Sequence, residues 1–104
     1  MPDLEETKAR EIIPGYFARF IHGEHSTLAF WDIKKGSIMP VHQHPHEQIT
    51  YVAEGAIDMM IGHEQFLFTR GMCHVIPPHT PHSAVAVEDC KIIDSFSPAR
   101  DDYR

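Results

Sequence analysis

Three imidazoles, a carboxylate and two amides stand within the seven residues His42-Gln43-His44-Pro45-His46-Glu47-Gln48. These are donor types that hold a divalent metal ion, and histidine is the commonest ligand among side chains. On a β-strand, side chains alternate between faces, so His42 and His44 project to one side. Gln48 shares that parity if the chain resumes as a strand after the break at Pro45, and so does His46; spacing alone leaves both open. A second cluster, Pro77-Pro78-His79-Thr80-Pro81-His82, supplies a fourth candidate. Strands converging on one cavity are how a small β-barrel assembles such a site. The chain has nine histidines, and a lone His-x-His pair among so many would read as surface residues. The second cluster, placed behind a turn signal, favours a metal site.

A site of this kind needs strands to aim it. Tyr16 to Ile21, rich in aromatic residues after the Pro14-Gly15 break, reads as a strand, and Thr27 to Ile33 as another beyond the turn from His22 to Ser26. Ser37 to His44 is extended, with Pro40 confining it to an edge or a bulge. Gln48 to Ala53 and Ala56 to Ile61 flank the hairpin signal Glu54-Gly55, and Gly62-His63-Glu64 turns the chain into Gln65 to Thr69. Met72 to Ile76 follows the Arg70-Gly71 turn. Pro77, Pro78 and Pro81 exclude helix and central strand, and His82 to Val87 and Lys91 to Ser97 complete the set. Pro2 to Arg10 is expected to be a solvated arm or a short helical turn. Short strands at near-regular spacing, without helical periodicity beyond the first residues, predict an all-β barrel or sandwich whose interior holds one ligand.

A chain of 104 residues is expected to form a single domain behind an arm of about residues 1–11, burying roughly 60–70% of its unfolded surface. No apolar run approaches the ~18 residues of a membrane span, so no membrane partner is expected. A net charge of −6 with nine scattered Lys and Arg argues against nucleic acid, whose phosphates call for a basic patch. Cys73 and Cys90 form no CxxC pair, so neither a disulfide framework nor a zinc knuckle is indicated. Met1 to Glu11 is polar and lacks the apolar core of an export signal, and a cytoplasmic location is expected.

Gly36, five residues, His42-x-His44, three residues, Gln48, six residues and Gly55 resembles the first motif of the cupin superfamily, with glutamine where glutamate is more usual. Gly71, five residues, Pro77 and then His82 resembles the second motif; His79 replaces the usual glycine, and Ala86 stands where an asparagine often does. The resemblance implies a small double-stranded β-helix barrel with His42, His44, Gln48 and His82 as ligands of one divalent metal and His46 outside the set. Three imidazoles and an amide leave the cation's charge uncompensated, which favours an anionic oxygen ligand and Lewis-acid chemistry. The donor set suits Ni, Zn, Fe, Mn or Co alike.

His42 to Val52 and the ending Asp94-Ser95-Phe96-Ser97-Pro98-Ala99-Arg100-Asp101-Asp102 are similar to the pectin-degradation cupins, which convert 4,5-unsaturated monouronates from pectin or alginate breakdown into linear keto acids. In that family an Asp, a Phe and an Arg of the ending line the pocket, matching Asp94, Phe96 and Arg100. The resemblance implies a metal-dependent isomerase acting on a small anionic sugar acid, with Asp94 carrying the proton and Phe96 and Arg100 contacting substrate. Two other functions share the ligand set: an Fe or Ni dioxygenase, and a non-catalytic module that binds a sugar or metabolite. Ile92, Asp94 and Phe96 share one strand face, so the carboxylate is flanked by apolar side chains that point inward. Arg100 is expected to return over the barrel mouth and pair with Asp94 or with a substrate carboxylate. Cupins of this size resemble one another in forming dimers. A homodimer is therefore expected, with Tyr16, Phe17, Phe20, Phe30 and Trp31 either covering the interface or filling the barrel.

Overall fold

The computed structural model describes residues 3–104. Ten strands run in chain order: β1 (Arg10–Ile13), β2 (Tyr16–His22), β3 (Thr27–Ile33), β4 (Ile38–His42), β5 (Glu47–Glu54), β6 (Ala56–Ile61), β7 (Glu64–Thr69), β8 (Cys73–Ile76), β9 (His82–Ala86) and β10 (Cys90–Ser97). Among the described residues the helical elements are two 3₁₀ turns, Leu4–Glu6 and Asp101–Tyr103. No helix among them is long and apolar enough to cross a membrane. Strands form where alternation lets one row of side chains leave water while the backbone pairs on both sides. In β3, Thr27, Ala29, Trp31 and Ile33 are buried; in β10, Cys90, Ile92, Asp94 and Phe96 are.

The strands build the all-β barrel that the sequence predicts. It consists of a six-stranded antiparallel sheet, β1-β2-β3-β10-β5-β8, facing a four-stranded one, β4-β9-β6-β7. The apolar core fills the space between them, with Val52, Ile57 and Ile76 almost fully enclosed. Register sets the depth of each inward side chain. Across the large sheet, Thr27, Phe96, Gln48 and Ile76 lie in one row, Ala29, Asp94, Thr50 and His74 in the next, and Trp31, Ile92 and Val52 in the third. On the small sheet His42 faces His82, and Met39, Ala84, Met59 and Phe66 form the row below.

Pro40 falls where its missing N–H does least harm: β4 is an edge strand, and its register against β9 shifts between Met39 and His42. The N-terminal segment departs from the sequence expectation. Its helical turn is present at Leu4–Glu6, but residues 10–13 leave the arm to form β1, paired to β2 across the tight Pro14-Gly15 turn. Arg10 and Glu11 hide the apolar alternation there, and pairing with β2 supplies what local sequence does not. Met1 and Pro2 of the expected arm lie outside the described residues.

Two turn glycines separate backbone conformation from crowding. Gly36 and Gly55 both have left-handed φ, +84° and +85°, but a Cβ on Gly36 would meet nothing within 4 Å, whereas one on Gly55 would stand 2.2 Å from the Asp89 carbonyl oxygen. Gly36→Ala should therefore cost only the left-handed penalty of about 1–2 kcal/mol. Gly55→Ala should cost clearly more, because the β5–β6 hairpin must also move off the strand leading into β10. Urea denaturation of the two variants checks this; equal losses would refute the crowding.

Candidate metal centre and cavity

His42 ends β4 and His82 opens β9 as its cross-strand partner, while His44 comes from the bend between β4 and β5. Their rings converge, with centroids 4.2 Å apart for His42–His82, 5.0 Å for His44–His82 and 5.8 Å for His42–His44. One ring nitrogen from each lies within 4.8 Å of the others. Each ring is also held from behind: Nδ1 of His42, His44 and His82 meets the carbonyl oxygens of Pro40, His46 and Thr80 at 2.9, 3.1 and 2.8 Å. A carbonyl only accepts, so these contacts assign the proton to Nδ1 and leave the Nε2 lone pair to face the centre. That is the tautomer of a metal-ligating histidine.

The donor atoms fit a divalent ion. His82 Nε2 is buried without a hydrogen-bond partner. His44 Nε2 lies 3.1 Å from Gln48 Oε1, so in this tautomer two acceptors face each other, an arrangement that a shared cation satisfies. Burial first, and then the Arg100 guanidinium and His82, hold the His44 pKa down to about 4. Burial likewise lowers that of His82. Both are neutral at pH 7, the form that binds metal.

The structure brings Gln48, rather than His46, to this centre. Residues 43–46 are not strand, so parity does not carry across Pro45. Gln48 is buried on the inner face of β5, whereas His46 is half-buried and contributes its carbonyl to His44. His79 is exposed at φ 61°, left-handed backbone where glycine is favoured, and its N–H donates to the His44 carbonyl at 2.8 Å, tying the two histidine segments together. Gln43 and Glu47 point outward and are exposed.

Next to the trio is a cavity of about 50 Å³ bordered by His42, Gln48, His82, Asp94, Phe96 and Arg100. Asp94 is buried, and burial pushes its pKa up to about 6 against the pull of neighbouring Thr50, Gln48, Trp31 and Arg100. Its Oδ1 closes no hydrogen bond. The expected Asp94–Arg100 ion pair is not formed. Arg100 instead grips Asp102 with two bonds, Nε to Oδ1 at 3.0 Å and Nη2 to Oδ2 at 2.8 Å. The 3₁₀ turn at Asp101–Tyr103 brings that carboxylate within reach, while Asp94 sits deeper on β10. The guanidinium is sandwiched between Phe96 and Tyr103, 4.6 and 4.2 Å from their ring centres.

Several residues that sequence reasoning did not assign to the site line it: Tyr16, Trp31, Met39, Thr50 and Tyr103. Of the aromatic residues considered for a dimer interface, Tyr16, Phe20 and Trp31 are buried inside the barrel, and only Phe17 and Phe30 stay on the outer side. Strand parity separates the two groups once β2 and β3 are aligned, since Ala18 pairs with Trp31 and Phe17 with Asp32.

Residues 29–96 match the cupin domain family. The pectin degradation protein KdgF of Dickeya dadantii is 35% identical over 71 residues, a match covering 66% of this chain and 64% of that protein; the chain thus spans less than two thirds of that relative's length. The solved structure of KdgF from Halomonas sp. is 34% identical, with a TM-score of 0.90 over 96% of this chain and 94% of that one. An RmlC-like cupin from Shewanella frigidimarina superposes with a TM-score of 0.94 at 30% identity, over 100% and 95% of the chains. A Bacillus subtilis oxalate decarboxylase, 22% identical, shares the fold at a TM-score of 0.81 over 93% of this chain and 29% of its own.

The raised pKa of Asp94 predicts a pH-dependent cost to stability. Its folded pKa of about 6 exceeds the ordinary 3.8, so the unfolded chain ionises more readily. The penalty is full above about pH 6, fades as pH falls towards 4 and is absent below. Asp94→Asn should accordingly stabilise chelator-treated protein by about 2 kcal/mol at pH 7.5, with the gain gone by pH 4. Denaturant titrations at the two pH values check this, and a variant less stable than the parent at pH 7.5 would refute it.

Proposed function

Given that the chain belongs to the cupin domain family, we propose that it is a metal-dependent isomerase converting 4,5-unsaturated monouronates into linear keto acids. The observation that carries this reading is one cavity where the histidine centre meets Asp94, Phe96 and Arg100, in a chain similar to a pectin degradation protein. A divalent ion held by His42, His44, Gln48 and His82 would supply Lewis-acid stabilisation of negative charge on oxygen. Because all four side chains are neutral, they favour a substrate that brings its own negative charge. The Arg100 fork suits a carboxylate bidentately, and its partner Asp102 is half exposed and can be displaced by one. Phe96 packs its ring between Arg100 and His44 and excludes water from that wall.

The remaining work is a proton transfer. Opening the ring requires the anomeric hydroxyl to lose its proton as a carbonyl forms and the bond from that carbon to the ring oxygen breaks. The electron pair released makes an enolate, and the C4 carbon gains a proton to leave a keto group at C5. No atom is lost and no electron leaves the substrate. A buried carboxyl titrating near 6 is suited to take the first proton and return the second, work worth about 10²–10⁴-fold in rate.

The test is loss of the conjugated 4,5-unsaturated absorbance with and without oxygen. Equal rates in both are expected. Asp94→Asn should lower turnover by about 10²–10⁴-fold with metal retained, and Arg100→Ala should act mainly on KM. His44→Ala should lose the metal, whereas His46→Ala, His63→Ala and His74→Ala should keep it. Stoichiometric oxygen uptake would indicate a dioxygenase, and binding without turnover a binding module; either would overturn the isomerase.

The partner that best fits the outer face of the large sheet is a second copy of this chain. Ile21, Leu28, Ser95, Ile49 and Val75 form a continuous row across five strands, and Arg19, Phe30, Ile93, Tyr51 and Cys73 the next. Ile21, Leu28, Ile49, Tyr51 and Val75 are each at least 40% exposed. At the patch edge Asp32 lies between Arg19 and Lys91, a mixed-charge rim that a two-fold copy can complement. Sedimentation should give twice the 11.9 kDa chain mass, falling to the chain mass in Leu28→Lys; a monomeric parent would exclude the dimer.

A further inference from the structure

Among the described residues, four buried side-chain atoms that border the cavity lack a hydrogen-bond partner: His82 Nε2, Asp94 Oδ1, Trp31 Nε1 and Tyr16 Oη. The metal centre gives the first a role and proton transfer gives the second one. Nothing in that chemistry uses the other two. Both are donors. The indole N–H can only donate, and burial pushes the Tyr16 pKa up to about 12, so its hydroxyl keeps its proton. The Met39 backbone stands near that hydroxyl, and the Asp94 carboxylate near the indole N–H, in neither case closing a hydrogen bond.

Strand register places these donors below the reacting groups. Gln48 and Phe96 share the row nearest the metal centre, Asp94 and Thr50 the next, Trp31 and Ile92 the third, and Tyr16, Ile33 and Cys90 the fourth. Successive inward positions on a strand are about 6.8 Å apart. Trp31 therefore sits one step, and Tyr16 two, from Asp94 towards the closed end. Their rings meet edge to face, with centroids 6.0 Å apart. Phenylalanine at either position would present a similar aromatic surface without burying an unpaired donor.

We propose that Trp31 Nε1–H and Tyr16 Oη–H form a deep subsite for hydroxyl oxygens at the end of the sugar acid remote from its carboxylate, making both specificity-determining residues. This rests on the isomerase reading for the identity of the sugar acid. A carboxylate engaged by Arg100 at the mouth leaves the opposite edge of the ring directed down the cavity, past Asp94. There the two donors meet acceptors, while Asp94 meets a hydroxyl that can donate. The free volume of about 50 Å³ equals room for about three to five water-sized groups. Ring hydroxyls can enter in place of such groups. The subsite thereby selects a hydroxylated acid over a bare one.

Trp31 is the only tryptophan of the chain, so its fluorescence reports on this subsite directly. The metal-loaded parent and Tyr16→Phe are titrated with 4,5-unsaturated galacturonate and with glycolate, which can occupy the mouth but has nothing to reach the floor. Calorimetry follows the same ligands for Trp31→Phe. The uronate should shift Trp31 emission, and each variant should weaken its binding about three- to tenfold while leaving glycolate affinity unchanged. Ligand-free Tyr16→Phe should melt no lower than the parent, since it removes an unpaired hydroxyl rather than a structural bond. Unchanged uronate affinity in both variants, or a lower melting point for ligand-free Tyr16→Phe, would overturn the subsite. If the uronate binds with the expected variant effects but is not turned over, the isomerase reading fails and the subsite stands. If the parent turns it over and Tyr16→Phe and Trp31→Phe have the parent KM, the subsite fails and the isomerase stands. A parent that neither binds nor turns it over would defeat both.

Discussion

The site depends on a carboxylic acid being kept where water does not reach it, and β10 is what makes that possible. This strand is paired along its length to β3 on one side and β5 on the other, so Asp94 cannot swing out to solvent without breaking two ladders of hydrogen bonds. Ile92 and Phe96, on the same face, add apolar burial that holds the strand inward. A backbone fixed this firmly can hold the carboxyl in an environment that disfavours its charged form.

The histidine centre is built on a different principle. Its residues lie at the end of an edge strand, in a bend and at the start of β9, so only His82 sits on a strand paired on both sides. Rigidity comes instead from hydrogen bonds to backbone carbonyls, one behind each ring, and from the His79 N–H that joins the second histidine segment to the first. Pro45, Pro77, Pro78 and Pro81 contribute by restricting backbone freedom in the connecting stretches, which lowers the entropy lost when these loops order. The two halves of the cavity thus use complementary supports: ladder pairing for the acid, and pinned side chains for the imidazoles.

How much of this was legible follows from the range of each interaction. Thr27–Ile33 and Ala56–Ile61 were readable because their ends are marked by turn residues, a local property. The inward face of Asp94 was readable from its alternation with Ile92 and Phe96, which is also local. β1 was not, because its charged residues carry no alternation and its pairing with β2 decides the matter. His46 and Gln48 were indistinguishable by parity, since the count fails wherever the chain leaves strand geometry. The motif resemblance chose Gln48, and the structure turns that side chain, not His46, towards the centre. Of the two partners expected for Arg100, Asp94 is replaced by Asp102, because a 3₁₀ turn two residues on brings that carboxylate closer, and sequence gives no signal strong enough to place so short an element against a barrel mouth.

Charge explains why these parts belong together. A glutamate in place of Gln48 would cancel part of a bound cation's charge and would stand beside Asp94, raising the cost of a second carboxylate there. The amide avoids that repulsion and leaves positive potential in the cavity. Arg100 adds to it, but Asp102 largely neutralises the guanidinium while no other anion is present, so the mouth does not carry an unpaired buried charge. An entering carboxylate meets a cation whose present partner is half exposed and readily solvated. Asp102 regains water as it is displaced, which offsets part of the loss of its ion pair. The same exchange brings negative charge to the mouth and leaves Asp94, deeper and less solvated, as the group whose protonation responds to the chemistry of the ring.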